Sequence, residues 1–169
     1  MERHRVWFDR VDTRITSFMS RYSISVLRIS LGVIFFWFGI LKFFPGLSPA
    51  EALAWRTIER LTFGVTSAGS AVVILAVWET LIGIGLLWGR FLRATLLLLF
   101  LQMIGTMTPL ILFPSQTFME FPYAATLEGQ YIIKNLVLIA AGMVVGATVR
   151  GGRIMEQGQG GVGSPKRIL

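Results

Sequence analysis

The 169-residue chain is 54% hydrophobic and 15% charged, with a mean hydropathy of +0.67, more apolar than a water-soluble domain of this size needs. It has no cysteine and one histidine, His4, which excludes disulfides, Cys-ligated zinc or iron–sulfur centres and a bis-histidine haem within one chain, and leaves no His-based metal cluster. The net charge of +7 comes from bases beside apolar runs, not from a basic stripe interleaved with aromatics, so it reads as a topology signal and not as nucleic-acid binding.

A helix needs roughly 20 apolar residues to cross a hydrocarbon core of about 30 Å, and four such runs occur, at residues 23–44, 68–88, 91–113 and 129–149. The expected fold is all-α: an integral membrane four-helix bundle over residues 23–149, preceded by a basic amphipathic leader (1–22) and followed by a Gly-rich disordered tail (150–169). In the leader, Val6, Phe8, Val11, Ile15, Phe18, Met19 and Tyr22 recur at roughly helical spacing among charges, which suits a helix on the headgroups or, equally, a mobile basic segment. Its apolar stretch is too long for a cleavable signal, and no small-residue cleavage site follows.

On the first span Arg28, Gly32, Phe35, Gly39 and Lys42 are spaced by four, three, four and three residues and share one stripe, which is expected to face protein, with the glycines allowing close helix approach. Arg28 and Lys42 lie near opposite ends and can snorkel. The connection that follows, with Ser48 as a cap, Pro49 and Glu51, predicts a short interfacial helix whose Ala52, Trp55, Ile58 and Leu61 rest on the bundle or on lipid.

The second span carries Glu79 near its middle, where a short acidic side chain reaches neither surface and needs a partner. Lys42 and Lys134 are the bases expected to supply it. Gly83, one turn further along the same face, admits a neighbouring helix. Glu79 is then either half of a structural pair or a proton-relay or ligand-binding group. On the third span Gln102, Thr106 and Pro109 align, and Pro109 frees the carbonyl of Gly105 as an inward acceptor or simply kinks the helix. The fourth opens with LEGQYIIKN, where Glu128, Asn135, Gly142 and Gly146 share a stripe and Lys134 is displaced from Asn135 by about 100°. Lys42, Glu79, Glu128, Lys134 and Asn135 are therefore the candidates for one polar pocket in the outer half of the bundle. Phe35, Trp37, Trp78 and Gln102 are candidate lining, and Gly32, Gly39, Gly83, Gly142 and Gly146 candidate packing positions.

Eleven Lys and Arg residues flank one side of the spans: five in the leader, Arg90 and Arg93 in the second connection, and four after the fourth span. Two, Arg56 and Arg60, flank the other. The positive-inside rule then puts both termini in the cytoplasm.

No nucleotide fingerprint, metal-ligand spacing or nucleophile beside a base is present. Three stretches in order, RISLGVIFFWFGILKFFPG (28–46), WETLIGIGLLWG (78–89) and LEGQYIIKNLVLIAAG (127–142), resemble the DoxX-like family of small four-helix membrane proteins. The resemblance implies a bacterial inner-membrane location. It also implies links to thiosulfate:quinone oxidoreduction, to membrane oxidoreductase complexes in oxidative-stress defence, and, among eukaryotic relatives, to assisting other membrane proteins. It matches Lys42, Glu79, Glu128 and Lys134 to the family's recurrent polar residues. Lacking thiols, the chain's own side chains have no sulfur nucleophile to offer. Three functions follow as expectations: a redox-associated subunit binding a quinone or a membrane redox partner; a small transporter acting as a homo-oligomer through Gly142 and Gly146; and a non-catalytic assembly or docking factor contacting partners near Trp55.

Overall fold

The structure is a computed structural model that describes residues 2–48, 51–149 and 151. Its elements in chain order are α1 (Glu2–Leu41), α2 (Glu51–Leu61), α3 (Ala68–Trp88), α4 (Leu92–Met107), α5 (Pro109–Leu112), α6 (Pro114–Thr117), β1 (Phe118–Glu120), β2 (Ala124–Ala125) and α7 (Leu127–Thr148). Four helical stretches, Trp7–Leu41, Gly69–Trp88, Leu92–Leu112 and Leu127–Thr148, are long and apolar enough to cross a membrane. Many large apolar side chains on them point outward, among them Val33, Trp37, Leu81, Leu97, Ile104 and Val137, which is the surface of a protein whose solvent is lipid. This is a multi-pass membrane protein.

Local chemistry sets the helix ends. Ser67 caps α3 by accepting from the Ser70 amide at 3.4 Å, and Gly89, with φ +76°, closes it by returning its N–H to the Gly85 carbonyl, a conformation glycine adopts without a Cβ penalty. Thr126 caps α7 by accepting from Gly129 N at 3.2 Å. α4 ends because Pro109 has no N–H to offer Gly105. Thr108 takes that carbonyl instead, through its backbone N at 3.2 Å and its Oγ1 at 2.6 Å, so the freed acceptor expected from the sequence is already used and only the break in the helix remains.

α1 and α3 form the closest pair. A Cβ at Gly39 would stand 2.6 Å from Thr80 N, one at Gly32 2.9 Å from Leu87 Cγ, and one at Gly83 would meet the Phe36 backbone. Glycine is the only residue that permits these approaches. Gly142 packs on Leu99 and Phe100 of α4, and Gly146 on Leu96. Within the chain, then, both glycines face α4. Leu31, Phe35, Ile82, Leu86, Leu96, Leu99, Met103, Ala141 and Val145 build the apolar core. At this end of the bundle Arg28 donates through Nη1 to the carbonyls of Leu86 and, at 3.2 Å, Leu87. The guanidinium thus satisfies the last turn of α3 with charge of the sign the helix dipole favours, a more definite role than snorkelling.

Three further features come from the structure. The leader is helical and continuous with the first span: α1 runs unbroken through residue 23 as a 40-residue helix, about 60 Å at 1.5 Å per residue and so longer than a bilayer core is thick. In α2 the face against the bundle is centred on Leu53 and Thr57, both buried, while Ala52 and Leu61 are exposed. Pro49 lies outside the described residues, as does the tail from residue 152. Finally, the connection before α7 holds a two-stranded antiparallel hairpin pairing Phe118 with Ala125 and Glu120 with Ala124, the one departure from an all-helical fold among the described residues.

Candidate functional site

The bundle is close-packed around Leu31, Leu86, Leu96 and Val145 but opens toward the end bearing Lys42 and α2. A cavity of about 520 Å³ lies there, walled by α1, α3, α4, α5 and α7 and flanked by Leu53, Ala54, Thr57, Ile58 and Leu61 of α2. Its volume falls within the range of small-molecule sites, and its lining is mainly apolar and aromatic with a few polar groups, as such sites usually are.

The polar groups are organised by one carboxylate. Glu79, 7% exposed, receives Lys42 Nζ on Oε2 at 2.5 Å and Gln102 Nε2 on Oε1 at 2.7 Å. Helical spacing brings the three together. Gly39 and Gly83 draw α1 against α3, so that Lys42, one residue beyond the end of α1, reaches back across the interface. Gln102 stands on the inward face of α4, one turn before Thr106. Lys42 also lies 3.5 Å from the Phe38 carbonyl. A buried ion pair survives in low dielectric only when its remaining hydrogen-bonding capacity is used, and the Gln102 amide supplies part of that here.

Gln102 itself is left half satisfied. A carboxylate only accepts, so the amide must turn its NH₂ toward Glu79, which fixes Oε1 as an acceptor. Oε1 is buried and has no hydrogen-bond partner among the described residues.

Of the other expected pocket residues, Glu128 and Asn135 line the cavity from α7, as do Phe35 and Trp78 from α1 and α3. Glu128 is exposed where α7 begins, so the cavity reaches the surface there. Trp78 is held by its Nε1, which donates to the Leu98 carbonyl at 3.1 Å. Two expected residues are not brought in. Lys134 is exposed, with its ammonium 5.5 Å from the centroid of the Tyr131 ring; one residue from Asn135, it is rotated about 100° out of the cavity. Trp37 is 64% exposed, because two residues from Phe35 means the opposite face of the helix.

The sequence reading missed Phe38, Thr57 and Tyr131, all of which line the cavity. Phe38, one turn before Lys42, and Tyr131, between Glu128 and Asn135 on the same face, carried a periodicity signal. Thr57 carried none, since its position depends on how α2 docks.

A multi-pass helical bundle with an internal ion pair at a membrane cavity defines the class. The chain belongs to the DoxX family, whose family model matches residues 23–113, the first three spans. α7, with Glu128, Tyr131 and Asn135, lies beyond the matched segment. No significant match is found among curated proteins or among solved structures.

Proposed function

We propose that this DoxX family member is a redox-associated subunit of the bacterial inner membrane that binds a quinone-class ligand in the cavity between its spans. The observation that carries the reading is the Lys42–Glu79–Gln102 network on the wall of a mainly apolar cavity of about 520 Å³. Phe35, Phe38, Trp78 and Tyr131 offer ring faces and edges to a planar head group, and Lys42 offers a cationic donor to a ring oxygen. The bilayer supplies such a ligand laterally, so an amphiphile needs no aqueous route. The site binds and orients; electron transfer then falls to a partner in the membrane, which makes a docking role part of the same reading.

The orientation belongs to this proposal too. The end bearing Arg28, Arg90 and Arg93 faces the cytoplasm together with both termini, on the eleven-to-two distribution of Lys and Arg. Lys42, α2 and the mouth beside Glu128 then face outward.

The test is organic extraction of protein purified in mild detergent, with quinone quantified against phospholipid, followed by titration of added short-chain quinone against Trp fluorescence. Stoichiometric enrichment and saturable quenching that is lost in Trp78→Phe are expected. Quinone at the bulk lipid ratio together with non-saturable quenching would overturn the reading.

A further inference from the structure

The unpaired oxygen of Gln102 says more about the ligand than the cavity's size does. We infer that the cavity selects a ligand that donates a hydrogen bond to Gln102 Oε1, and that within the quinone class it prefers the reduced, hydroxyl-bearing form over the quinone. This rests on the proposed quinone-class reading and adds the redox state to it.

Satisfaction of polar groups sets the preference. Gln102 is 7% exposed, lines the cavity, and has Nε2 engaged by Glu79 at 2.7 Å while Oε1 meets no donor among the described residues. A buried amide oxygen without a donor is unfavourable. The amide cannot flip to relieve it, because that would set oxygen against the carboxylate that Lys42 also grips. An occupant that brings a donor is therefore rewarded.

Quinone oxygens only accept, so against Gln102 Oε1 a quinone presents lone pair to lone pair. A hydroquinone hydroxyl donates to Oε1 and still has lone pairs for the Lys42 ammonium, which has three N–H groups and spends one on Glu79 at 2.5 Å. Lys42 and Gln102 hold the two oxygens of one carboxylate and both line the cavity, so one occupant meets a cationic donor and an amide acceptor on the same network. Methyl ethers of the same ring keep its shape and lose the donor.

The experiment is anaerobic calorimetric titration of the full-length protein in detergent with three probes: decylubiquinone, decylubiquinol and the dimethyl ether of the latter. A single hydrogen bond of ordinary strength predicts roughly a tenfold tighter Kd for the quinol than for the other two. In Gln102→Leu the three affinities should converge, by loss of the quinol advantage. Should that variant not fold, the wild-type comparison of quinol with its ether decides alone. Equal binding of all three, or preference for the quinone, overturns the inference and leaves the quinone-class reading standing; saturable binding of none overturns both.

Discussion

Removing either half of the Lys42–Glu79 pair should have unequal consequences. Both side chains are about nine-tenths buried, at 13% and 10% exposure, and stripping a buried charge of its partner costs about 3 to 5 kcal/mol when the survivor stays dry. The survivors differ in reach. After Glu79→Gln, the Lys42 ammonium stands on a flexible four-carbon stem one residue past the end of α1 and can swing to the interface, so the loss should shrink to about 1 to 2 kcal/mol. After Lys42→Met, the Glu79 carboxylate stays near the middle of α3 with only Gln102 beside it, and the full 3 to 5 kcal/mol applies. The double variant removes both charges and should be more stable than the sum of single losses predicts, by about 2 kcal/mol. Reversible SDS unfolding of the purified protein, followed by Trp fluorescence, measures all four corners of this cycle. If Glu79→Gln were as damaging as Lys42→Met, or the two losses simply added, the assignment of Glu79 as the buried, immobile partner would fail.

Two further outcomes follow from the same geometry. Gly39→Leu would drive a side chain into Thr80 N and Glu79 Cβ, which a Cβ would already approach to 2.6 and 3.0 Å, and should cost 1 to 3 kcal/mol or more, at about the level of overpacking; an unchanged melting profile in detergent would contradict the close contact of α1 with α3. For orientation, the cysteine-free chain permits single probes: Gln116→Cys should react with an impermeant maleimide from outside intact cells and Gly160→Cys only after permeabilisation, whereas labelling of both from one side would overturn the assigned topology.

How far the site was legible depends on what fixed each residue. Lys42, Glu79 and Gln102 were legible because depth and the helical period act on them within long spans: a mid-membrane acid must find a base, and glycines at Gly39 and Gly83 say which helices come close. Lys134 and Trp37 misled because residue type was weighed above angle; a rotation of 100° to 200° about a helix decides between cavity and lipid, and in a membrane an aromatic or a rim lysine is content on either. The face of α2 was not legible, since eleven residues with apolar side chains on several sides dock by tertiary fit. Nor was the role of Gly142 and Gly146, because a small-residue stripe serves a neighbouring helix of its own chain as readily as another copy. The unsatisfied oxygen of Gln102 emerges only once Glu79 is known to hold its NH₂.

The central claim, that the Lys42–Glu79–Gln102 cavity is a ligand site for quinone-class molecules, is tested most directly by photolabelling with an azido-quinone in native membranes, followed by peptide mapping. Saturable labelling is expected, confined to the lining of the cavity at Phe35, Phe38, Trp78 or Tyr131 and displaced by excess unlabelled hydroquinone. Labelling spread evenly over the outward faces of the spans, at Trp37, Ile104 or Val137, and unaffected by competitor would contradict it.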